Sequence, residues 1–430
     1  MQRTPIDAHT ARRLNLAMPL ERDSLFRAQM ASLRETVAWA KEQSPLYRTH
    51  LATVDPACLR ERQDLERIPF LTEASISSSP LDLLCISQSR ISRIITLETS
   101  GSTGHPKRLF FTQEDLAATL EFFYEGMLSL IEQRDNVLVL LPASQPDGVG
   151  DLLLRALSGH GVNCSAVWPL PAIDVLARTV QDTSASCIVG LPQHLLALAE
   201  ALPKDSGVSS MLLCSDYAPD AVRQRIETAC GCKTFLHYGT TETGLGGGVE
   251  CGMHRGCHLR ESDLLVEIVD PESNESLIDG ELGEIVITTL ARRGMPLVRY
   301  RTGDLARLDR RICPCGGATA RLYDIRGRNT PCRLAGGGML FSQDLDDALF
   351  GIEELLDFRA RLEPGSLESI HIEYLARRGY ASANEIRKSL LSIPAILNAV
   401  KDDQLIIGDI GQISKFSASH TMKRSILDRR

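Results

Sequence analysis

Between residues 136 and 230, short apolar runs alternate with amphipathic stretches, and this pattern most constrains the fold. Residues 136–141, 164–168, 187–190 and 210–214 read as strands, and 152–159, 173–183, 192–202 and 219–230 as helices. Strands alternating with helices of about ten residues imply a mainly parallel sheet covered by helices. Ligands of such sheets sit beyond the carboxyl ends of the strands.

Upstream, residues 23–47 carry Leu25, Met30, Leu33, Val37 and Ala40 at helical spacing. A further helix is expected over 114–133. From about Glu250 the pattern changes. Residues 263–268 and 283–290 read as antiparallel strands around the turn-rich stretch 270–275. A smaller unit follows a composition shift at 326–330, with a helix after Asp344, strands at 369–374 and 404–407, and a helix at 382–391. At 430 residues the chain is long for one core, so two domains are expected.

The net charge of -8 argues against a nucleic-acid or membrane-surface binder. No apolar run approaches the roughly 20 residues of a membrane helix, and the first residues lack a secretory core. A cytoplasmic protein is expected, as a monomer or homodimer. Its twelve cysteines then suggest buried thiols rather than a disulfide framework.

Three polar clusters stand out. Thr99, Ser100, Gly101, Ser102, Thr103, Gly104 and Lys107 form a hydroxyl- and glycine-rich loop between two short strands. Such a loop can wrap an anion with N–H groups, hydroxyls and an ammonium; a solvated hairpin is the alternative. Pro106 stands where the Walker pattern has glycine. The second cluster runs from His237 through Tyr238, Gly239, Thr240, Thr241 and Glu242 to Gly244. Its tyrosine could face a base, its threonines a phosphate, and Glu242 a Mg²⁺ ion; a polar turn is the alternative. The third, Arg299 to Asp304, ends in a carboxylate able to accept from two vicinal hydroxyls, or simply to pair with an arginine.

In this order the strings TSGSTGHPK, YGTTETG and YRTGD resemble the phosphate, adenine–Mg²⁺ and ribose motifs of the adenylate-forming superfamily of acyl-CoA synthetases and luciferases. The strings GELGEIVI and MPLVRYRTGD, with a Cys-Pro-Cys-Gly after them, resemble its phenylacetate–CoA ligase-like branch. The resemblance implies an α/β adenylation domain over 1–327 with a β-rich subdomain, and a small mobile α+β domain over 328–430. It implies an AMP-forming ligase that joins a small carboxylic acid, aryl by analogy, to coenzyme A at the expense of ATP. A non-CoA acceptor, or a catalytically impaired regulatory homologue, are the competing readings.

By the same resemblance, the loop of Ser100, Ser102, Thr103 and Lys107 holds the β,γ-phosphates, Thr241 the α-phosphate, and Glu242 the Mg²⁺. Tyr238 stacks on adenine, Ser215 and Asp216 line its edge, Asp304 takes the ribose, and Arg328 lies close by. The family's catalytic lysine should come from the C-terminal tail. Met422 occupies its strict register, leaving Lys423 one residue off and Lys415 as a distant second. Residues 142–151 and 244–248 are expected at the acyl pocket, and neither stretch contains an aromatic residue.

Cys251, His254, Cys257 and His258 crowd within eight residues, with Cys313 and Cys315 further on. Thiolate and imidazole in such groups suit tetrahedral zinc. The branch's pattern selects Cys251, His258, Cys313 and Cys315 as ligands of a structural zinc, with His254 and Cys257 as alternatives.

Overall fold

The computed structural model describes residues 4–97, 106–328, 331–377, 382–413 and 424–430. Two compact units emerge: Met1–Pro169 with Phe235–Arg328, and Leu170–Thr234 with Asn329–Arg430.

The first unit opens with a helix, Pro5–Leu14, that no hydrophobic period announces. Its buried side includes Asp7, His9 and Thr10 beside Ile6 and Ala11. Thr4 caps it by accepting from the Asp7 N–H, and Pro5 fits its first turn. The helix expected over 23–47 is two helices. Ser44 ends Arg22–Gln43 and caps Pro45–His50, because Pro45 cannot continue the first but suits the start of the second.

Strands Arg93–Leu97 and Lys107–Phe111 pair antiparallel with Leu97 opposite Lys107. Helix Gln113–Met127 begins in a reciprocal box. The Thr112 Oγ1 accepts from the Asp115 N–H at 3.2 Å, and Asp115 Oδ2 accepts from the Thr112 N–H at 2.8 Å. Asn136–Val139 and Asn163–Ala166 pair in parallel, with helix Val149–Ser158 as their crossover.

An antiparallel ladder completes the unit. From the end of Lys233–Tyr238 it runs through Gly248–Glu250, Cys257–Leu259, Arg321–Arg328, Tyr300–Asp309, Leu282–Thr289 and Leu264–Val269. Ile268, Ile285 and Ile287 from this ladder, with Val298 just before one of its strands, share a core with Leu33, Val37, Tyr47 and Leu71. Each such side chain contributes about 1.5–3 kcal/mol on burial, so the polar residues between them stand on a stiff frame. Along Tyr300–Asp309 alternate residues are buried, which puts Tyr300, Thr302 and Asp304 on one face.

The second unit holds the parallel pair Cys187–Gly190 and Ser210–Leu213, with helices Ile173–Asp182, Pro192–Ala201 and Asp220–Cys230. It also holds a four-stranded sheet in the order Leu405–Gln412, Glu368–Ala376, Leu355–Glu363, Leu427–Asp428. Helices Ser342–Leu349, Ala383–Leu390 and Pro394–Lys401 accompany it. Arg424 is partly buried in this unit, with its side chain 10% exposed. Its Nε donates to Asp346 at 2.9 Å, its backbone N–H to Asp216 at 3.1 Å, and its guanidinium lies 4.8 Å from the Phe350 ring centre. No helix among the described residues is long and apolar enough to cross a membrane. None of the twelve cysteines is in a disulfide.

Candidate functional site

Two of the buried groups of polar side chains in the first unit contain the residues singled out above. The first is centred on Lys107, whose residue is wholly buried. Its ammonium is ion-paired with Glu242, lies 3.3 Å from a Glu73 carboxylate oxygen, and donates to the Tyr300 hydroxyl at 3.3 Å. Tyr300 in turn donates to Glu242 at 3.2 Å. One cation thus sits among two carboxylates and a phenol, an oxygen-rich setting of the kind a hard divalent ion takes.

The turn that carries Glu242 is locked from within. The Thr240 N–H donates to Thr243 Oγ1 at 3.0 Å, the Thr243 N–H to Thr240 Oγ1 at 3.3 Å, and the Thr243 hydroxyl to the Thr240 carbonyl at 2.9 Å. Thr240 therefore shapes the turn that presents Thr241 and Glu242. Gly239 is required here, because a Cβ would meet the Leu245 carbonyl oxygen at 2.4 Å. Alongside, Tyr238 donates to Asp304 Oδ2 at 3.2 Å. Burial, and then the Asp304 charge, raise the Tyr238 phenol well above its ordinary pKa, so it stays a donor. Asp304 takes its place from the strand geometry: its N–H donates to Thr302 Oγ1 at 3.1 Å, and Arg328 is its cross-strand neighbour.

Lys107, Tyr238, Gly239, Thr240, Thr241, Glu242 and Asp304 thus belong to one unit, with Lys107 bonded to Glu242 and Tyr238 to Asp304. Thr99 to Gly104, Lys415 and Lys423 lie outside the described residues, as does the Arg328 side chain. Ser215 and Asp216 belong to the second unit, where Asp216 accepts from Arg424. Glu73 and Tyr300 were not anticipated. A period-two reading of 300–308 would have found Tyr300, because it shares a face with Asp304. In the stretch expected to line an acyl pocket, a Cβ on Gly246 would meet Phe122 at 2.5 Å. An aromatic ring therefore reaches this stretch from helix Gln113–Met127.

The second group is Cys251, His258, Cys313 and Cys315, whose ligand atoms all lie within 4.8 Å of one another. Cys251 Sγ is 3.8 Å from Cys313 Sγ, and Cys315 Sγ is 3.4 Å from His258 Nε2. A tetrahedron with Zn–S bonds of about 2.3 Å has edges near 3.8 Å, so the donor set fits a zinc ion. His254 and Cys257 are not part of it: His254 faces Glu250 at 3.3 Å, and the Cys257 thiol faces the Leu236 carbonyl at 3.5 Å.

A relay stands behind His258. Its Nδ1 is 2.9 Å from Thr319 Oγ1, which donates to Asp7 Oδ1 at 2.9 Å. With the Thr319 proton committed to Asp7, Nδ1–H donates to Thr319 and Nε2 keeps its lone pair for a metal. Asp7 also accepts from the N–H groups of Ala318 and Thr319 at 2.7 and 3.2 Å, which holds the loop after Cys315. The pairing of Asp7 with Thr319 spans most of the first unit in sequence and leaves no local signal.

The sequence model of the AMP-binding enzymes matches residues 94–291. That span contains the loop of the first polar cluster and the turn of the second. A phenylacetate–CoA ligase of Thermus thermophilus is 30% identical over 355 residues, covering 78% of each chain. The chain belongs to the AMP-binding enzyme family. A phenylacetate–CoA ligase of Pseudomonas putida is 26% identical, covering 94% of this chain and 92% of its own. The fold is also that of a 2-hydroxyisobutyryl-CoA ligase solved in the postadenylation state with 2-HIB-AMP. That structure has a TM-score of 0.75 and 20% identity, covering 94% of this chain and 89% of its own.

Proposed function

We propose that this AMP-binding enzyme is an AMP-forming acid–CoA ligase of the phenylacetate–CoA ligase kind, acting on an aryl or other small organic acid. The observation that carries the reading is the bonded group Lys107–Glu242–Tyr300 beside Tyr238–Asp304, on the motifs that bind nucleotide in this family. In the first step the acid's carboxylate oxygen bonds to the α-phosphorus of ATP and the α,β-bridging bond breaks, releasing pyrophosphate. In the second the thiol of coenzyme A attacks the acyl carbon, loses its proton, and AMP leaves.

Asp304 would accept from the ribose hydroxyls, with Tyr238 keeping it in register. Glu242 would hold Mg²⁺, which when bound neutralises phosphate charge as the α-phosphorus is attacked. Lys107 and Tyr300 would orient Glu242, and Thr241 would donate to the α-phosphate. The loop from Thr99 to Gly104 would enclose the outer phosphates, and Ser215 and Asp216 the adenine edge. Residues 328–430 would form the mobile domain, delivering Lys423 for the first step and Arg328 near the ribose. Cys251, His258, Cys313 and Cys315 would hold a structural zinc, since four protein ligands leave no open position.

A panel of carboxylic acids with ATP, Mg²⁺ and coenzyme A tests the reading. Pyrophosphate release with at least one acid, followed by CoA-dependent AMP release, is expected. AMP release indifferent to CoA would point to another acceptor, and no pyrophosphate with any acid to a non-catalytic nucleotide binder. The Lys423→Ala variant should lose adenylate formation on the order of 10³-fold; an unchanged rate would reject that lysine.

A further inference from the structure

Among the buried charges of the first unit outside these two groups, Arg292 stands apart. Arg292 is 8% exposed, and its Nη1 has no hydrogen-bond partner among the described residues. Its guanidinium lies 4.8 Å from the Phe111 ring centre, which explains its packing but not its charge. Burial lowers its pKa, with Asp115, then Glu242 and Asp263, opposing. A buried guanidinium left short of acceptors is unfavourable, and such an orphan commonly marks a bound ion or water.

Arg292 borders a cavity of about 140 Å³, lined also by Arg13, Arg260, the three acids Glu114, Asp115 and Asp263, and the Thr243–Gly244 turn. A water's share of the liquid is about 30 Å³, so there is room for a small ion with solvent. Two of the acids are already engaged. Asp263 accepts from Arg13 Nη2 at 2.9 Å, Arg260 Nε at 2.9 Å and Ser262 Oγ at 2.6 Å. Asp115 accepts from the Thr112 N–H at the helix start. The arginines converge instead on one point. A Cβ on Gly244 would lie 3.4 Å from Arg292 Nη2 and 4.0 Å from Arg260 Nη1. Gly244 has φ +74°, so a residue with no side chain is favoured there and that space stays open.

We propose that this cavity binds a small oxyanion of the inorganic phosphate class, gripped by the guanidinium groups of Arg292 and Arg260 against the Thr243–Gly244 turn. Planar guanidinium forks match such oxygens. Glu242 directly precedes Thr243, so an anion here would brace the turn that presents Glu242.

The test is a phosphate titration of the full chain at constant ionic strength, followed by calorimetry. It is run with the nucleotide site filled by an α,β-methylene analogue of ATP, so that the triphosphate loop cannot supply the binding. One saturable phosphate site per chain should persist. The Arg292→Met and Arg260→Met variants should each weaken it about tenfold or more, and Arg292→Lys less. Circular dichroism shows which variants fold, and the lysine variant decides if a methionine variant does not. Binding that vanishes with the analogue present, that survives unchanged in the folded variants, or that acetate reproduces while phosphate gives none, would overturn the assignment.

Discussion

The two polar groups of the first unit are built alike but balanced differently. Each draws residues distant in sequence onto a stiff antiparallel frame. The group around Lys107 is closed on itself, with an ammonium shared between Glu242 and Glu73 and a phenol bridging. A ligand arriving there must exchange internal partners for its own. The cysteine–histidine group has no such closure, for three thiols and one imidazole within 4.8 Å satisfy one another poorly. The first group is ready for an occupant that comes and goes, and the second for one that stays. The difference follows from hardness. Carboxylate and ammonium neutralise each other, whereas soft sulfur donors gain most from a metal.

If that contrast holds, the same kind of lesion should have opposite signatures in the two places. Glu242→Gln removes the charge proposed to face Mg²⁺ while keeping the shape of the side chain. It should lower adenylate formation on the order of 10²–10³-fold, with a fall in melting temperature limited by Glu73, which still pairs with the buried Lys107 ammonium, measured by pyrophosphate release and calorimetry. A large loss of stability with normal turnover would make the pair with Lys107 structural and break the comparison. At the other group, stripping the metal with a chelator should cost roughly 3 kcal/mol or more, which corresponds to a melting-temperature fall on the order of 10 °C. Thr319→Val cuts the relay from Asp7 to His258 and should weaken zinc binding by about 10–100-fold. Elemental analysis of protein purified without added zinc comes first. Less than about half a zinc per chain would sink the metal assignment.

The sequence carried the ordered motifs and the change from parallel to antiparallel pairing, because both are local in pattern. Glu242 and Asp304 could be singled out since each ends a short string of unusual composition. Tyr300 and Glu73 could not be tied to Lys107, since their meeting depends on how helix Glu73–Ser78 and strand Tyr300–Asp309 approach strand Lys107–Phe111. The helix Pro5–Leu14 was invisible for a related reason. It is held by polar side chains buried against a distant loop, Asp7 on Thr319 above all, and hydrophobic periodicity does not register such contacts. Pro394–Lys401 also escaped, as a short helix close behind another. The ligand choice of Cys251 and His258 over His254 and Cys257 came from a family pattern, and the geometry groups the same four.

That first helix offers the finest test of the contrast, because it serves the metal side through Asp7 while burying a histidine of its own. His9 is fully buried, and burial, followed by the Arg260 charge, lowers its pKa to about 4. In the unfolded chain the same imidazole takes its proton near 6.5. Between those values the unfolded state binds more protons, so stability contributed by His9 is complete above about 6.5 and is lost as the pH falls towards 4. Acidifying from pH 7 to pH 5 should therefore cost about 2 kcal/mol through this residue alone. Urea midpoints at the two values, compared between the wild type and His9→Gln with zinc held in excess, isolate the contribution. The variant should show the shallower dependence on pH. Equal slopes would mean that the helix docks without regard to the charge of His9, and that acid reaches the cysteine–histidine group by protonating its ligands instead.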